Sequence, residues 1–102
     1  FERWGIAEQI KDRIVTPPPG IPVGSLVAKG EVELGFQQLS ELINLPGITV
    51  LGTMPQAIQI VTTFSGGVCA SSAQADAVRE MLAFMASPDA AEPKRRQGMD
   101  PA

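Results

Sequence analysis

Hydrophobic and polar side chains alternate at the start of the stretch Gly30–Leu42: Val32, Leu34 and Phe36 fall to one side, Glu31, Glu33 and Gln37 to the other. A period of two is that of a half-buried strand, here Val32–Phe36. The alternation stops at Gln37, Gln38 and Ser40, and Leu39, Leu42 and Ile43 resume at helical spacing, as a helix over Leu39–Asn44. Three uncharged hydrogen-bonding side chains at such a junction serve either as turn and cap residues or as the floor of a ligand site. The residues alone leave both open.

The same patterns organise the rest of the chain. Residues 2–11 predict a short helix, and "RIVTPPPG" a brief strand running into a loop that Pro17, Pro18 and Pro19 hold extended and Gly20 lets turn. "IPVGSLVAKGE" predicts a helix with a stripe of Val23, Leu26 and Val27 and with Gly30 as its C-terminal cap. Ile48–Leu51 reads as a short strand, and Ile58–Phe64, nearly all β-branched or aromatic, carries the strongest strand signal. Ser71 and Gln74 match a capping box ahead of the helical stripe Val78, Met81, Leu82 and Met85. Ser87, Pro88 and Gly98 bracket a last helix, which Pro93 kinks or shortens.

Alternating strands and helices predict an α/β architecture: a small mixed sheet flanked by helices and closed by a C-terminal helical pair. Strands this apolar need cover on both faces, and few helices are available to provide it. The chain also opens in helical rhythm without an initiator Met, which reads as a piece of something longer, with any targeting signal lying in the missing part.

Composition narrows the function classes. At 102 residues, 44% hydrophobic and 19% charged, the chain has the make-up of one small folded domain. A net charge of −3 gives no basic face for nucleic acid, and Lys94-Arg95-Arg96 reads as a solvated helix face. With no His and a single Cys, Ser-His and Cys-His chemistry, an internal disulfide and a zinc cluster are all excluded; Cys69, among small apolar neighbours, is expected to be a buried small hydrophobe. No apolar run approaches the ~20 residues that span a bilayer. Acidic residues never cluster at metal-ligand spacing, and no cofactor motif is present; "SGGVCAS" lacks the Lys of a phosphate loop. In open α/β sheets, ligands sit where helices begin beyond strand ends, and the unpaired N–H groups there suit an oxyanion. "FQQLS" and "TPPPGIP" have that placement.

The ordered set "ERWGIAEQIKDRIV", "GSLVAKGEVELGF", "PGITVLGTMP" and "SPDAAEPKRRQGMDPA" resembles the C-terminal part of periplasmic molybdate-binding-like proteins, the extracellular solute-binding components of ABC importers. The resemblance runs in register over essentially the whole chain. It implies part of a two-lobed type II periplasmic-binding fold, with residues 1–70 in the second lobe and 71–102 as helices returning toward a first lobe absent from this chain. It implies a ligand clamped between the lobes. Gln38 stands where the molybdate binders carry a ligand-contacting tyrosine, and the chain has no Tyr, so the ligand is molybdate, another oxyanion or another small solute. A backbone contact falls near Gly20 and Ile21. The ligand-binding set is thus Gln37, Gln38, Ser40, Gly20 and Ile21.

The resulting expectation is a non-enzymatic solute-binding module in the periplasm or at the extracellular face of the membrane, without a cofactor and without nucleic acid. Its partners would be a small, anionic ligand and ABC transporter membrane subunits, and the segment alone would self-associate through exposed apolar surface. Two alternatives stand beside it: the effector-binding domain of a bacterial transcription regulator, and a small α/β enzyme using acids around Glu31 and Glu33.

Overall fold

A computed structural model describes residues 1–101. Five short α-helices form: α1 (Ala7–Ile10), α2 (Val23–Ala28), α3 (Leu39–Leu42), α4 (Ala75–Met85) and α5 (Ala91–Arg96). Single 3-10 turns at Glu2–Trp4, Lys11–Arg13 and Pro88–Ala90 join them. The first helix is therefore interrupted: Gly5 is left-handed at φ 67 and separates the opening turn from α1.

No strand or sheet occurs among the described residues, and this corrects the α/β expectation of a small mixed sheet within a type II periplasmic-binding fold. A strand exists only through the ladder it shares with a neighbour. The expected strands Val32–Phe36, Ile48–Leu51 and Ile58–Phe64 have none, and nearby N–H groups bond locally instead. Ile58 N and Gln59 N both donate to Pro55 O, and Glu31 N donates to Leu26 O. Ile60 and Leu51, 91% and 83% exposed, present their side chains to solvent. β-propensity measures fit to a half-buried pleated surface, and without that surface it directs nothing.

The helices that do form end where the sequence places their stops. After α2, Gly30 takes φ 73, its N–H donates to Val27 O at 2.9 Å, and Glu31 N–H donates to Leu26 O at 2.9 Å. After α5, Gly98 also takes φ 73, with Gly98 N–H on Arg95 O and Met99 N–H on Lys94 O, both at 3.0 Å. Each is a Schellman closure, in which a left-handed residue satisfies the last carbonyls of the helix. Pro93 lies in the first turn of α5, where a missing N–H costs little, and α5 continues through it. The capping box is displaced. The N-cap of α4 is Gln74, and the hydroxyl engaged is that of Ser72, accepting Gln74 N–H at 3.1 Å.

The chain divides into two compact units. The first comprises Phe1–Gln37 with Leu45–Ile48. In it Gly35 lies against α2 so closely that a Cβ there would meet Val23 Cγ1 at 2.6 Å, and Phe1 stacks edge-on to Phe36 with ring centroids 5.8 Å apart. The second comprises Gln38–Asn44 with the residues from Thr49 onward. In it Gly66 meets Leu82 of α4, the Gly98 turn rests on Leu39 and Ser40, and Asn44 Nδ2 donates to Gln97 Oε1 at 2.8 Å. Of the expected α4 stripe, Val78 and Leu82 are half-buried while Met81 and Met85 are exposed.

Among the described residues no hydrophobic side chain is fully buried, and Gly24 of α2 is the one buried position. The accessible surface is 8451 Å², where a self-contained folded chain of this mass exposes roughly 5,500 Å². An excess of this size leaves the chain short of the burial that normally offsets conformational entropy. Cys69 is exposed rather than buried, for the same want of a core.

Candidate functional site

The site expected from the sequence separates into two groups. Gly20, Ile21 and Gln37 belong to the first unit, Gln38 and Ser40 to the second.

In the first unit the chain before α2 folds back on itself. Ile21 N–H donates to Pro18 O at 3.1 Å across a turn whose third residue, Gly20, takes φ 85. That positive φ is what a glycine supplies at the third position of a type II turn. Ile21 thereby spends its N–H within the turn, and its side chain is exposed. Pro22 then serves as the N-cap of α2 in extended conformation and has no side-chain acceptor for the helix's free N–H groups. The acceptor comes from Gln37, 14 residues away: its Oε1 takes the Val23 N–H at 3.0 Å in a part-buried hydrogen bond. Gln37 thus takes the first N–H of α2. A helix whose N-cap is proline must find its acceptor elsewhere, and that signal was present in "GIPVGS".

In the second unit Gln38 is the N-cap residue of α3. Its carbonyl accepts Glu41 N–H at 3.0 Å, while its exposed side chain makes no capping bond. Ser40 is half-buried, and its backbone nitrogen lies 3.2 Å from where a Cβ on Gly98 would stand. Sequence reasoning missed the Asn44–Gln97 bond, which ties the residues after α3 to the end of α5. Two polar residues separated by 53 positions give no local pattern from which to find it.

The acids of the enzyme alternative are solvated. Glu31 is exposed, and the exposed Glu33 faces Arg13 at 3.7 Å. An ion pair of that kind contributes little in water. Among the described residues no three His, Cys, Asp or Glu side chains converge as a metal site, and no helix is long and apolar enough to cross a membrane.

Residues 1–100 match the family model described as "Bacterial extracellular solute-binding protein". A curated relative named "Aconitate isomerase", from Pseudomonas sp, is 45% identical over 83 residues. The match covers 81% of this chain and 32% of the relative, so the chain spans about a third of that protein's length. No solved structure matches. The relative overturns the expectation of a non-enzymatic module: a sequence this similar belongs to a protein with an enzyme's name. Composition misled because the absence of His removes imidazole chemistry alone and leaves carboxylates and amides, so it does not decide against an enzyme.

Proposed function

The chain belongs to the bacterial extracellular solute-binding proteins, and from that premise we propose that the protein carrying it is an isomerase of a small unsaturated polycarboxylate, aconitate or a near analogue. The observation that carries this reading is the 45% identity over 81% of the chain to the relative named for that activity. A tricarboxylate is also a multiply charged oxyanion, the ligand class suited to neutral hydrogen-bond donors. The family description favours a location outside the cytoplasm, periplasmic or extracellular.

The chemistry asked of the protein is modest in atoms. Isomerising an aconitate changes no composition. A base takes one carbon-bound proton beside a carboxylate, the electron pair left behind delocalises into the double bond and the carboxylate, the weakened bond rotates, and a proton returns to carbon. Such a step needs the carboxylates held in one orientation and the developing enolate charge met by fixed donors. Holding the carboxylates is the role assigned to this segment.

Full-length protein incubated with cis- or trans-aconitate in D2O is expected to interconvert the isomers and to incorporate deuterium at carbon, both read by proton NMR. Unchanged spectra at high protein concentration would sink the reading. A second reading, in which the protein hands a bound anion such as molybdate to ABC importer membrane subunits, is favoured by the family description alone. Thermal stabilisation by molybdate with none by aconitate would move the assignment to it, since a ligand stabilises the native state it binds.

A further inference from the structure

We draw no further inference here: the strongest candidate, the apolar face that α4 leaves exposed at Met81, Phe84 and Met85, carries nothing because nothing in the structure shows what covers it.

Discussion

Gly30 and Gly98 close their helices with the same dihedral, φ 73, and differ in what surrounds them. A Cβ on Gly30 would meet nothing within 4 Å. A Cβ on Gly98 would stand 3.0 Å from Leu39 Cγ and 3.2 Å from both Leu39 C and Ser40 N. Alanine at either position carries the left-handed penalty, about 1 kcal/mol. At Gly98 it must also displace the α3 backbone, and overpacking of that kind costs about 1–3 kcal/mol more. Gly30→Ala is therefore expected to lose about 1 kcal/mol and Gly98→Ala about 2–4 kcal/mol. Urea unfolding of full-length protein, followed by circular dichroism with the slope held common, measures the difference. Equal losses would refute the reasoning, because they would mean that the turn after α5 does not rest on α3.

Two further outcomes follow from the contacts. Replacing Asn44 or Gln97 by alanine breaks the same 2.8 Å hydrogen bond. Being exposed, that bond should be worth at most about 1 kcal/mol, and the double variant should lose no more than either single one; fully additive losses in the cycle would deny the pairing. The apolar residues Leu51, Ile60, Val61 and Phe64 are all exposed, so the 102-residue chain on its own is expected to sediment with a concentration-dependent increase in mass. Ile60→Lys should reduce that increase, and an unchanged profile would place the association elsewhere.

The sequence was most legible where structure is local. Gly30 and Gly98 could be read as stops because a left-handed residue after a helical stripe closes that helix with its own last carbonyls, which needs nothing from farther along the chain. The turn at Gly20 and the α4 helix over Ala75–Met85 were legible for the same reason. At the candidate site the sequence singled out Gln37, Gln38 and Ser40 without telling them apart. The structure does so: Gln37 reaches back 14 residues to cap α2, Gln38 leaves its side chain in solvent, and Ser40 lies under the Gly98 turn.

What the sequence determined by itself is the set of helix stops, the turn and the family that residues 1–100 match. Tertiary structure decided what periodicity could not. Ile58–Phe64 has the composition of a strand, but a strand is a relation between two backbones, and no described segment pairs with it. The direction of the Gln37 amide was equally invisible, because it depends on a proline-capped helix start that lacks an acceptor of its own. Helical hydrogen bonds close over four residues and are written into short stretches of sequence. Ladders and long-range caps depend on which distant backbone arrives beside them, and only the folded chain settles that.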